Sequence, residues 1–74
     1  LDSSILRRVA INNNCPHNVL DRLSRHSDPS IRMYVALNKK CPIKLLELLV
    51  KDECFKVRNT ATTNLTHHHE AIYN

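Results

Sequence analysis

The residues here whose types could do chemistry are cysteines and histidines. The chain has three cysteines, Cys15, Cys41 and Cys54, and a run His67-His68-His69. Thiolates and imidazoles at suitable spacing hold zinc or iron–sulfur clusters. Cys15 and Cys41 are each followed by proline, and His67 falls in register with them at a step of about 26 residues. Geometry argues against one shared ion. Positions recurring once per helical repeat sit roughly 8–10 Å apart, whereas the ligands of one zinc lie within about 4 Å of one another. A disulfide needs Cα atoms within about 7 Å. The cysteines are therefore predicted to pack as small apolar groups. Neighbouring residues on a helix point in different directions, so three consecutive histidines do not converge as i, i+4 pairs do. They predict a polar helix start. No metal ligand and no cofactor is predicted.

Basic residues are the second set. Lys39, Lys40 and Lys44 cluster around one turn, and Arg32 and Arg58 occupy matching positions that could line one side of the molecule. With a net charge of +4, these five residues are the candidate partner-binding surface, fitted to an acidic protein. The same residues could serve nucleic acid, but such a groove usually adds stacking aromatics. Only Tyr34, Phe55 and Tyr73 are aromatic. A metal or iron–sulfur accessory role is the third reading. No Ser-His-Asp set, glycine-rich phosphate loop or paired carboxylates in a cleft can be picked out, so the chain is not expected to be an enzyme.

What must position these residues is a repeat. Asp2, Ser4, Ile5, Val9-Ala10 and Asn12 reappear as Asp28, Ser30, Ile31, Val35-Ala36 and Asn38. Cys15-Pro16, Leu20 and Leu23 reappear as Cys41-Pro42, Leu46 and Leu49. A fainter copy carries Val57-Arg58, Ala61, Asn64, His67 and Ile72. The predicted repeats span about 2–27, 28–53 and 54–74, the last incomplete, in one domain over 1–74. Helices are predicted over about 3–11 and 16–26, then 29–37 and 42–51, then 54–63, with a short last helix from Thr66 that carries Ala71 and Ile72. Asp2-Ser3-Ser4 and Asp28 are N-cap signals, with Pro29 at N1 and Pro16 in the first turn of the second helix. Asparagine after the first helix is expected to take the left-handed cap conformation that glycine usually supplies, since the chain has no glycine. The asparagines at 12, 38 and 64 are expected to cap helix ends or bond to the next repeat. Ile43, Leu45, Leu46, Leu48, Leu49 and Val50 make an apolar arc wider than one stripe, which predicts a fourth helix covered on more than one side. Thr60, Thr62 and Thr63 lower the helix propensity of the fifth.

The stretch Ile31–Leu49, IRMYVALNKKCPIKLLELL, resembles the leucine-rich repeat variant motif, roughly V-R-x-x-V-A-x-N-P-x-x-P-x-x-x-L-x-x-L, a relative of the HEAT-type α-solenoids. Arg32 and Arg58 match its arginine, while Leu6 departs. Asn12, Asn38 and Asn64 match its asparagine, and Pro16 and Pro42 its second proline, where His68 departs. The first proline is replaced by Asn13, Lys39 and Leu65. The resemblance covers nearly the whole chain. It implies an all-α fold, a short right-handed α-solenoid of about three helical hairpins, working as a protein–protein interaction or assembly module.

Composition sets bounds. A domain of 74 residues buries only about 60% of its unfolded surface and is marginal alone. Absent glycine and scarce aromatics argue against a barrel or sandwich. An odd cysteine count without disulfide spacing predicts a reducing, cytoplasmic home. No apolar run is long enough to insert in a membrane, and the first residues do not read as a signal peptide. The chain opens on Leu1 and stops within the third repeat, and Leu1, Ile5 and Leu6 present an apolar end. It is therefore expected to be a fragment of a longer array or a small subunit of a complex.

Overall fold

The computed structural model describes the backbone of residues 2–73 and the side chains of residues 2–68. Among them are five helices and no strand: α1 Ser3–Ile11, α2 His17–Leu23, α3 Pro29–Leu37, α4 Ile43–Leu49 and α5 Phe55–Tyr73. The protein is all-α. The start signals work as their chemistry dictates. The Asp2 carboxylate accepts the Ser4 N–H at 2.8 Å, and Asp28 accepts that of Ser30 at 2.9 Å. Each satisfies a donor that a helix start leaves without a partner. Those N–H groups, with the serine hydroxyls next, hold both carboxyls below the usual aspartate range. Pro29 sits in the first turn of α3. Pro16 and Pro42 stand one place earlier than predicted, as N-caps of α2 and α4. Their carbonyls accept the first bonds of those helices, Pro16 from Val19 and Leu20, and Pro42 from Leu45 and Leu46.

The helix ends correct one expectation. No described residue other than glycine has positive φ, so no asparagine takes the left-handed cap. Asn12 and Asn38 are instead extended, with φ, ψ of −69°, 128° and −65°, 123°. Each closes a tight turn with its side chain. Asn12 Oδ1 accepts the Asn14 N–H at 2.8 Å, and Asn38 Oδ1 that of Lys40 at 2.7 Å. Asparagine readily makes such side-chain turns. The chain is thereby delivered to Cys15-Pro16 and Cys41-Pro42, where proline keeps the preceding residue out of helix.

α3 lies between α1 and α5, and α4 packs on α3 and α5. The core follows this order. Ile31, Val35 and Ala36 are fully buried on α3, and Ala10, Leu20, Leu46, Val57 and Ala61 close around them. α4 buries Leu45, Leu46 and Leu49. Its wider arc is not covered on a second side, contrary to expectation: Ile43 is 43% and Leu48 67% exposed.

The third segment departs most from the prediction of a hairpin. α5 runs unbroken from Phe55 to Tyr73. At the register of Cys-Pro it carries His67-His68, which lack the ring that bars helix, so nothing interrupts the i to i−4 bonding. Thr60, Thr62, Thr63 and Thr66 donate their hydroxyls to carbonyls one turn back, at 2.7–3.0 Å. This satisfies polar groups that otherwise make threonine a poor helix residue. Ala71 and Ile72, expected on a short last helix, lie outside the residues whose side chains are described.

Candidate partner-binding surface

The five basic residues singled out by sequence are not equivalent in space. Arg32 is 7% exposed. Its Nε and Nη2 meet the two oxygens of Asp52 at 2.8 and 3.2 Å. Its Nη1 donates to the carbonyls of His26 and Ser27 at 2.6 and 3.1 Å. A planar guanidinium suits this double grip. Burial alone would push the Asp52 carboxyl up, but the Arg32 guanidinium and the Cys54 N–H outweigh it and the carboxyl sits below its usual range. The bond from Asp52 in turn raises Arg32 further. With its guanidinium buried and so engaged, Arg32 ties the start of α3 to the loops after α2 and α4 and presents no free charge at the surface.

Arg58 repeats half of this arrangement. Its Nη1 donates to the Asp52 and Glu53 carbonyls at 2.9 and 3.0 Å, the same positions, 26 residues on, that Arg32 uses. Its Cζ lies 5.8 Å from the centroid of the Phe55 ring, within cation–π range. Phe55 itself is 68% exposed. Lys39 and Lys40, in the turn after α3, and Lys44 on α4 are exposed. Lys44 and Leu48 have the i, i+4 spacing that places them on one stripe of α4, and Lys51 lies in the turn just after it, all three facing solvent. The available surface is thus a lysine-flanked apolar one. Leu48 and Phe55 were not among the predicted contacts. The width of the apolar arc on α4 was the signal for Leu48, had it been read as an open face.

The cysteines and histidines separate. Cys15 and Cys41 are buried free thiols, each with Sγ near the carbonyl of the following proline, at 3.7 and 3.8 Å. Burial pushes the Cys41 thiol up to about 12 and raises Cys15 in the same sense. A neutral thiol is a poor nucleophile and a poor ligand. Among the described residues no three His, Cys, Asp or Glu side chains are placed to share a metal ion. His69 lies outside the residues whose side chains are described.

His67 and His68 instead border an open groove of about 520 Å³ between the end of α3 and the middle of α5. Leu37 and Lys39 line one wall, and Asn59 and Thr60 the other. One register earlier those last two positions hold Met33 and Tyr34, both half-buried against the core. Asparagine and threonine are the shorter pair, and α5 also continues past the position where the chain turns after α3.

The asparagines align as expected. Asn38 Nδ2 donates to the Ala10 and Asn12 carbonyls at 2.7 and 2.9 Å, and Asn64 Nδ2 to those of Ala36 and Asn38 at 2.8 and 2.9 Å. The bonds recur at an offset of 26 residues. No protein-family model matches the chain, and no curated protein or solved structure does so significantly. Among the described residues no helix is long and apolar enough to cross a membrane.

Proposed function

We propose that this chain is a protein–protein interaction or assembly module of the leucine-rich repeat variant kind, a short right-handed α-solenoid that works in the cytoplasm without catalysis. Support for the repeat reading comes from the two asparagine rungs and the two arginine clamps, each spaced by 26 residues. Such stacks present extended surfaces to partners. The observation that carries the binding role is the outer stripe of α4. Leu48, 67% exposed, lies one turn after Lys44 on α4 and just ahead of Lys51 in the turn that follows. An apolar centre rimmed by like charges suits a partner surface with an apolar anchor and acidic flanks. Lys39, Lys40 and Arg58 extend the positive rim. Arg32 stays with the scaffold.

A photo-reactive amino acid at position 48, in the full chain expressed in its native cells, tests this. Cross-links to a defined protein are expected, and they should be lost when Lys44 and Lys51 are both changed to Glu. Cross-links to nucleic acid alone, together with binding of nucleic acid that falls steeply with salt, would replace the reading with a nucleic-acid one.

A further inference from the structure

We infer that the groove between α3 and α5 is a second docking site, for a short acidic peptide segment carrying an apolar anchor. This rests on the interaction-module reading and assigns a partner chemistry to a different face. Two of the residues that line the groove are smaller than their counterparts one register earlier. At the α1–α3 junction, Met33 and Tyr34 pack half-buried against the core. At the α3–α5 junction the same register holds Asn59 and Thr60, and about 520 Å³ stays open. The asparagine rungs are alike at both junctions, but α5 runs on past the position where the chain turns after α3, so His67 and His68 line the groove as well.

The chemistry of the lining selects the occupant. Leu37, 48% exposed, supplies an apolar wall. Lys39, His67, His68 and the Asn59 amide supply donors, and among the described residues no carboxylate lines the groove. Thr60 spends its hydroxyl hydrogen on the Lys56 carbonyl. A ligand offering carboxylates beside an aliphatic side chain meets both halves of this surface. Nucleic acid fits less well, because among the described residues no Phe, Tyr or Trp lines the groove for stacking and one lysine contacts few phosphates.

The test is a fluorescein-labelled peptide of Glu, Asp and Leu, titrated by polarisation against the full chain. The double variant Asn59→Met, Thr60→Tyr fills the groove with side chains that the fold already accommodates one register earlier. It is expected to weaken binding at least about tenfold, with unchanged circular dichroism. Lys39→Glu should weaken binding by about three- to tenfold, and a Lys- and Leu-based peptide should not bind. An acidic peptide that binds the filled variant as tightly as the wild type, or no binding at low salt, overturns the groove. Competition by single-stranded nucleic acid at equal affinity would do so as well. Lys39 borders both surfaces, so the separating variant is Asn59→Met, Thr60→Tyr, in which cross-linking at Leu48 should persist while peptide binding is lost.

Discussion

The second hairpin and the segment that follows it begin alike and end differently. α3 and α5 both place an arginine on two loop carbonyls. An asparagine, at the end of α3 and midway along α5, bonds two carbonyls at the end of the helix one register back, α1 and α3 respectively. After Asn38 the chain turns through Cys41-Pro42 into α4, but after Asn64 it remains helical. The difference teaches that two specifications are written separately in this chain. Lateral stacking of helices depends on asparagine and arginine side chains and survives without a turn. The turn depends on proline. A second contrast lies within the arginines. Arg32 has a carboxylate partner 20 residues on, and Arg58 has an exposed phenylalanine.

The largest effect expected from this contrast is at Arg32. Replacing it with Ala strands the Asp52 carboxylate and two loop carbonyls, at a cost of about 3–5 kcal/mol, comparable with the whole stability of a small domain. Arg58→Ala should cost under about 1 kcal/mol. Urea unfolding measures both, and equal losses would erase the distinction. The pair also sets an acid response. Asp52 has a depressed carboxyl when folded, so its stabilisation is complete above the unfolded value of about 3.9 and is lost as pH falls through the folded one. Asp52→Asn should start less stable at neutral pH and lose less on acidification.

Next in size is the rung. Asn38→Ala removes two donated bonds and one accepted bond in a fully buried place, which should cost about 2–4 kcal/mol. Asn64→Ala, half-buried, should cost about 1–2 kcal/mol. A reversed order would show that the stack is held mainly from the α5 side. Then comes the turn. His68→Pro removes the bond that an unbroken helix makes to the Asn64 carbonyl and drives a ring against it, worth up to about 3 kcal/mol. Far-UV ellipticity should fall accordingly. Undiminished helicity would mean that the third segment is already bent. The smallest expected effect is kinetic: in the native protein iodoacetamide should modify half-exposed Cys54 well before buried Cys41, as peptide mapping would reveal.

Much of this was legible in the sequence, for reasons that can be traced. α1 and α3 were predicted at the observed limits because aspartate caps and asparagine stops bracket short apolar stripes. The asparagine row was legible because identical letters at a constant step had to become neighbours. Arg32 was misplaced as a surface charge because arginine is usually exposed, and its partner Asp52 lies in a loop whose position depends on the tertiary fold. α5 was divided because the repeat register was extended past the point where its proline is missing. Leu48 was counted as covered because apolar width alone does not tell a buried flank from an open one. The groove was invisible, since it lies between the end of α3 and an α5 that was expected to be broken.

The amide of Asn64 holds the main chain at Asn38, and the side chain of Asn38 holds the main chain at Asn12. A mechanical load that separates α1 from α5 crosses the two junctions in series, through these links and the apolar contacts beside them. The weaker, half-buried link would yield first, and the molecule would peel from the α5 side one helix at a time rather than burst.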